Sequence, residues 1–340
     1  MPEVILVDRN KPDERAIARA VAVLLSGGLV AFPTETVYGL GALALDPKGL
    51  ARIFAAKGRP THHPLIAHVT GIAQAKTLIE PWPKLAELLA TAYWPGPLTL
   101  IGNRSSIVPP ELTGGHPSVA VRAPAHPVAL ALIEAVGAPL AAPSANKYQG
   151  ISPTSAAHVL ASLGNEVDLV LDAGSCAQGV ESTVVDVTGE APRILRPGPL
   201  SLKALRKVAS SIVLADETTD DDAMRASPGL DRRHYAPHAK LVVVESTMVA
   251  VELAKQVLMR DEERVALMLW DHHPDAMAHV VRTMPVRAAD YARELYATLH
   301  ELDALGVQII IVQQVPTGSE WDAVRDRLAR ASEEPGKVFS

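Results

Sequence analysis

The sequence predicts an α/β protein in two parts, a first domain on a twisted, mixed sheet and a second, smaller, doubly wound domain. Two observations carry this. Short apolar runs bounded by glycine or proline alternate with helical apolar spacing along most of the chain. A polar stretch at about 216–240, acidic and then rich in Pro, Gly and Arg, separates one set of strands from another. In the first part several strands follow one another through short Gly/Pro turns. The pattern is therefore not a regular series of strand–helix–strand units, and a mixed sheet is expected.

Taken in order, VILVD at 4–8 reads as a strand, and 12–26 has helical spacing closed by Gly27 and Gly28. LVAFPT at 29–34 is a buried strand entering a loop, and LGALALD at 40–46 is another. Residues 47–56 read as a helix, with Pro47 suited to its first turn. PLIAHV at 64–69 is strand-like, 82–93 helical, and WPGPLTLIG turns into a strand. SVAVRAP at 118–124 alternates, 126–137 is a helix ended by glycine, and 139–146 runs from strand into polar loop. Residues 154–164 form a helix with Thr154 available as its cap. VDLVLDAG and STVVDVT are strands, and RILRPG at 193–198 is expected to close the domain. After the polar stretch, LVVVE, VALMLWD and VQIIIVQQV read as three buried strands, with helices at 248–260, 289–304 and 321–332. No Gly-x-Gly-x-x-Gly follows the first of these strands, so a dinucleotide site there has no support.

Bulk properties narrow the function. The 340 residues are 48% apolar, enough for large cores. With 32 basic and 38 acidic side chains, a net of -6, the chain lacks the footprint of a nonspecific nucleic-acid coat. One local basic site for a small anion remains compatible with that total. A single cysteine, Cys176, excludes an intrachain disulfide and fits a reducing compartment. No secretory signal and no apolar run long enough for a membrane span is present, so a cytoplasmic location is expected.

Three polar clusters follow strands, where α/β proteins tend to place ligand sites. PTETVYGLG at 33–41 delivers Thr34, Glu35 and Thr36; it fits either a capped turn or a binding loop. KGRPTHHPLIAH at 57–68 holds Lys57 and Arg59, as a solvated basic loop or as polyphosphate ligands. Its His62, His63 and His68 match no strong metal spacing, and no metal ligands are assigned. PSANKYQGISPT at 143–154 offers Ser144, Asn146, Ser152 and Thr154, and GVESTVVD at 179–186 repeats the pairing of Gly with Ser and Thr. Arg122 and Arg196 lie within apolar strands and are expected to face a pocket. Walker A, nucleophile-elbow and HExxH motifs are absent. Together the clusters suggest an ATP or other anion site of unusual type.

PTETVYGLG, KGR, WPGP, VAVR, PSAN followed by SPT, ESTVVD and ILRPG occur in the order found in the Sua5/YrdC/YwlC family of threonylcarbamoyl-AMP synthases, which the chain resembles. SPGLDRRHYAPHAKL resembles the linker of the long, Sua5-type members, and ADYARELYATLHELDALG their C-terminal domain. The resemblance implies a YrdC-like domain at 1–210, a linker at 211–239 reaching over the active site as a lid, and a smaller Rossmann-like domain at 240–340. It implies synthesis of threonylcarbamoyl-AMP and pyrophosphate from L-threonine, bicarbonate and ATP, with Mg2+. A partner transferase would then carry the group to adenosine 37 of tRNA. Carried over by motif, Thr34, His68, Arg122 and Ser182 surround the threonine, while Ser118 and Ala142 line the cavity, Ala142 through its backbone. Lys57, Arg59, Thr61, Ser144, Asn146, Ser152 and Arg196 hold ATP, with His234 and Tyr235 reaching it from the linker. Lys57, Arg59 and Arg122 carry the charge stabilisation of the reaction. His63 stands where many relatives have asparagine. Two rival readings are a double-stranded RNA or tRNA binder on a related fold, and a carbamoyl-transfer enzyme of the HypF type. The latter carries zinc-finger cysteines that this chain lacks.

Overall fold

The computed structural model describes residues 1–215, 234–260, 263–271 and 276–339. The acidic stretch, Arg232 and Arg233 of the linker lie outside the described residues. Contacts divide the chain into two compact units. The first comprises Met1–Tyr148, Ser152–Ala177 and the chain from Glu181 into the linker. The second comprises Gln149–Ile151, Gln178–Val180 and the chain beyond the linker.

The strands of the first unit begin with β1 (Glu3–Leu6), β2 (Val30–Phe32), β3 (Gly39–Leu43) and β4 (Ile66–His68). β5 (Leu98–Asn103), β6 (Ser118–Arg122), β7 (Leu140–Ala141) and β8 (Leu169–Asp172) follow. β9 (Thr183–Asp186), β10 (Arg193–Arg196) and β11 (Val213–Leu214) complete the set. They form one 11-stranded sheet in the order β1-β8-β2-β3-β7-β4-β6-β5-β9-β10-β11 among the described residues. Pairing is mixed: β4 runs parallel to β6, and β5 antiparallel to β6.

Both faces are covered, and strand alternation shows how. Val30 and Phe32 join one core cluster, with Ala20, Leu24, Leu132 and Ile133 from helices Glu14–Leu25 and Pro127–Val136. Ala31, between them, joins the opposite cluster with Leu50 and Ile53 from helix Pro47–Lys57. Successive side chains of a strand point to opposite faces, so a strand covered on both sides is apolar throughout. β8 repeats the arrangement, with Leu169 and Leu171 on one side and Val170 on the other.

In the second unit β12 (Lys240–Val244), β13 (Val265–Leu269), β14 (Val280–Thr283) and β15 (Ile309–Gln313) form a parallel sheet in the order β12-β15-β13-β14. Helix Thr247–Arg260 buries Val251, Ala254 and Val257 against Val265, Leu267 and Ile309. The linker's end folds with this unit. Tyr235 is buried at a φ of 60°, unusual for a residue with a side chain, with the Arg327 guanidinium 5.0 Å from its ring centroid. His234 donates from its backbone N to the Arg330 carbonyl at 3.2 Å.

The fold class is the expected one, and several details differ, among them helix Ile72–Leu78, where no element was expected. β14 was not among the three expected strands: its VVRT sequence lies at a sheet edge with alternate residues exposed, a weak apolar signal. β11 follows RILRPG, so that segment does not end the sheet. Ser155, not Thr154, caps helix Ala156–Leu163, accepting from the His158 N–H.

Candidate active site

β6 ends on Arg122, which pairs in register with His68 at the end of the parallel neighbour β4. Both side chains are buried. An arginine in such a place needs acceptors, and three converge on it. Nη2 lies 2.6 Å from Glu35 Oε1, Nη1 donates to Thr36 Oγ1 at 2.9 Å, and Nε donates to the Gly96 carbonyl at 3.3 Å. The other Glu35 oxygen accepts from Ala125 N at 3.0 Å. Thr34 Oγ1 donates to the Val37 carbonyl at 2.6 Å and accepts from the N–H groups of Thr36 and Val37. Its one proton is thereby used, so Thr36 donates across the 2.8 Å contact between the two hydroxyls. The Thr34 loop is therefore a capped turn, and the same turn carries the groups that hold Arg122. Burial, and then the Arg122 charge, pull His68 down to about 3, so its ring is neutral. Its Nδ1 sits 3.3 Å from the Ile66 carbonyl; with the proton there, Nε2 is an acceptor.

The second group starts at helix Pro47–Lys57, capped by Asp46 with Pro47 in its first turn. It stops at Gly58, whose φ of 63° suits a residue without Cβ. That turn puts Lys57 on the last helical position and Arg59 just beyond. The Lys57 side chain is buried and donates to the Ser144 and Asn146 carbonyls, both at 2.5 Å. Burial first, then Arg59 and Lys147, press its pKa well below the ordinary lysine range. Arg59 Nη2 donates to the Pro64 carbonyl at 3.1 Å, and its guanidinium lies 5.8 Å from the Tyr148 ring centroid. The His63 ring meets Tyr148 edge-on at 5.5 Å. Thr61 is exposed in the same loop.

The third group joins loop Ser152 to the start of β9. Ser152 Oγ donates to Glu181 Oε1 at 2.5 Å. Ser182 Oγ contacts Thr99 Oγ1 of β5 at 2.7 Å. Arg196, at the end of β10, donates through Nη2 to the Ser182 carbonyl at 3.1 Å and to its hydroxyl at 3.2 Å. Gly198 makes this turn possible, because a Cβ there would stand 2.3 Å from Thr183 N and 2.7 Å from the Glu181 carbonyl. Gly198→Ala should therefore push the Glu181–Thr183 backbone away and cost about 1–3 kcal/mol of stability. Denaturant unfolding checks this; an unchanged midpoint contradicts it.

Backbone bonds tie the loops together. Tyr38 N donates to the Pro153 carbonyl at 2.8 Å, Ala145 N to the Tyr38 carbonyl at 2.9 Å, and Ser144 bridges Gly39. Ala142, whose Cβ faces Gly39, donates its N–H to the Ile66 carbonyl beside β4. Ser118 stands apart from the bonded cluster: it opens β6, four residues from Arg122 and about 13 Å along the strand. His234 and Tyr235 belong to the second unit. Among its described residues the first unit buries four basic side chains, Lys57, Arg59, Arg122 and Arg196, and three carboxylates, Glu35, Glu181 and Asp186. That imbalance favours an anionic ligand. Among the described residues no group of His, Cys, Asp or Glu is arranged to hold a metal ion. Cys176 is buried, and burial raises its thiol pKa.

Sequence reading gave Glu35 and Thr36 no individual role and passed over Thr99, Tyr148 and Glu181. A carboxylate inside a motif such as ESTVVD, next to an apolar strand, was the available signal.

Fold and site define an α/β protein that buries several basic groups, delivered by several strands and loops. The family model described as "Telomere recombination", that of Sua5, YciO and YrdC, matches residues 22–198. A model described as "Threonylcarbamoyl-AMP synthase, C-terminal domain" matches residues 200–333. The threonylcarbamoyl-AMP synthase of Pyrococcus abyssi is 40% identical, over 97% of both chains. That of Bacillus subtilis is 36% identical, over 97% of this chain and 96% of its own. The crystal structure of P. abyssi Sua5 with L-threonine superposes with a TM-score of 0.90 at 39% identity, covering 97% of each chain. The chain belongs to the Sua5/YciO/YrdC family, in its two-domain form.

Proposed function

We propose that the chain is a nucleotidyltransferase that makes threonylcarbamoyl-AMP and pyrophosphate from L-threonine, bicarbonate and ATP in the site of its first unit. The observation that carries this reading is the buried Arg122 guanidinium, braced beside a neutral His68 in a unit that also buries Lys57, Arg59 and Arg196. One planar fork suits the carboxylate of an amino acid, and the remaining cations suit a triphosphate. Full-length relatives named threonylcarbamoyl-AMP synthase support the same reaction.

Arg122 clamps the threonine carboxylate, and Thr34, His68 and Ser182 line the amino-acid side with Ser118 and the Ala142 backbone. Lys57, Arg59, Thr61, Ser144, Asn146, Ser152 and Arg196 hold ATP. The threonine amine captures bicarbonate with loss of water, giving N-carboxy-threonine. A carbamate oxygen then attacks the α-phosphorus, the bond to the β-phosphate oxygen breaks, and pyrophosphate leaves. No protein nucleophile is required; orientation and charge stabilisation carry the catalysis. Mg2+ would come with the triphosphate, whose oxygens would hold it, and would offset charge on the leaving pyrophosphate. Glu35 and Glu181 face Arg122 and Ser152 and form no cage for the ion, so no step is assigned to it.

Downstream, a transferase passes the group to adenosine 37 of tRNA, and a cytoplasmic location fits that role. Among the described residues no helix is long and apolar enough to cross a membrane. Exchange of labelled pyrophosphate into ATP tests the proposal: it should require threonine and bicarbonate together. Exchange without threonine, or none at all from folded protein, would refute it.

A further inference from the structure

We infer that Glu35, Thr36 and Gly96 are positioning residues that fix the guanidinium plane of Arg122 for the substrate carboxylate. The inference rests on the reading of Arg122 as the threonine clamp.

Arg122 has five N–H groups, and its three partners approach from three directions. Thr36 takes one N–H from Nη1 and Gly96 the N–H of Nε, while Glu35 holds Nη2 by charge, as an ion pair outside hydrogen-bond geometry. Nη1 keeps one N–H and Nη2 has no hydrogen-bond partner among the described residues, so each terminal nitrogen has an N–H to offer to a ligand with two oxygens. The partners are themselves fixed. Glu35 is anchored through its second oxygen by Ala125 N, three residues beyond Arg122. Thr36 is locked by its hydroxyl contact with Thr34. Gly96 donates its N–H to the Ala123 carbonyl at 2.8 Å, which ties the WPGP turn to the residue after Arg122. A Cβ on Gly96 would lie 2.3 Å from the Tyr93 carbonyl, so this turn requires glycine. Two motifs with no assigned contact to a ligand, the ET of PTET and the WPGP turn, thus share one task.

The chemistry at Glu35 is restrictive. Arg122 Nη2 lies 2.6 Å from one Glu35 oxygen as an ion pair and Ala125 N donates to the other, so the side chain between them must present an oxygen to each. Glutamate does so with its two oxygens; glutamine has one acceptor and would turn an NH2 toward one of the donors. Thr36→Val removes one acceptor and keeps the shape.

The test uses the full chain with Glu35→Gln and Thr36→Val, each verified as folded by circular dichroism. Threonine binding is measured by calorimetry, and KM is measured separately for threonine and for ATP. In each variant the threonine Kd and KM should rise about tenfold or more, equivalent to about 1.4 kcal/mol. KM for ATP should stay within about twofold. Wild-type threonine affinity in either folded variant overturns the inference, as does an equal rise in both KM values, the mark of a general structural defect. Arg122→Ala separates the two levels. Threonine affinity retained there removes the clamp reading itself. Affinity lost there but normal in Glu35→Gln and Thr36→Val overturns only the positioning role.

Discussion

Arg122→Ala is expected to abolish threonine-dependent adenylate formation and to weaken the fold at the same time. The side chain is buried and matched by Glu35 at 2.6 Å, with Thr36 and Gly96 completing its surroundings. Truncation leaves the Glu35 charge buried without its partner, which costs about 3–5 kcal/mol of stability. Arg122→Lys separates the two effects. Lysine restores a positive charge, but its point-like ammonium cannot reach acceptors placed around a planar fork. Stability should therefore recover in part, while kcat/KM for threonine stays about a hundredfold or more below wild type. Denaturant unfolding and initial rates against threonine supply both readings. Near-normal kcat/KM in Arg122→Lys would show that charge alone suffices and that the fork geometry is immaterial.

Lys57→Met should show the reverse balance: a large kinetic loss with a small change in stability. The buried ammonium is costly to the fold, as its depressed pKa shows, although two carbonyl contacts at 2.5 Å oppose that cost. Methionine removes the charge at similar length but leaves two carbonyls short of a donor, and these effects offset. The catalytic loss is not offset, because charge stabilisation at a reacting phosphate contributes about a hundredfold or more. The pH dependence of stability carries a sign. The folded pKa of Lys57 lies below its unfolded value, so between the two the unfolded chain holds the extra proton. Wild-type stability should rise with pH through that window toward the ordinary lysine range, and Lys57→Met should lack this contribution. An equal slope in both proteins contradicts the burial assigned to Lys57.

Much of the fold was legible because burial writes itself into composition. β2 and β8 are apolar at consecutive positions since both sheet faces are covered, and Gly137 marks a helix end by the conformation it adopts. β14 was not legible, because an edge strand with alternate exposed residues carries half the signal. Within the site, Arg122 and Arg196 stood out as charges inside apolar strands. Their partners did not. Glu35 meets Arg122, Thr99 meets Ser182 and Glu181 meets Ser152 only through the order of strands and loops, which local pattern does not encode. Ordered motifs pointed to the family where single residues left alternatives open. His63 meets Tyr148 edge-on, and the Arg59 guanidinium lies 5.8 Å from the centroid of the same ring.

The most direct test of the central claim is product analysis by mass spectrometry. Purified protein is incubated with ATP, Mg2+, bicarbonate and L-threonine, and each component is omitted in turn. An adenylate carrying the threonylcarbamoyl mass should form in the full mixture and vanish when threonine, bicarbonate or ATP is left out. Its absence from the full mixture, with the protein folded and the labile product shown to survive the assay, would contradict the assigned reaction and turn attention to a nucleic-acid-binding role.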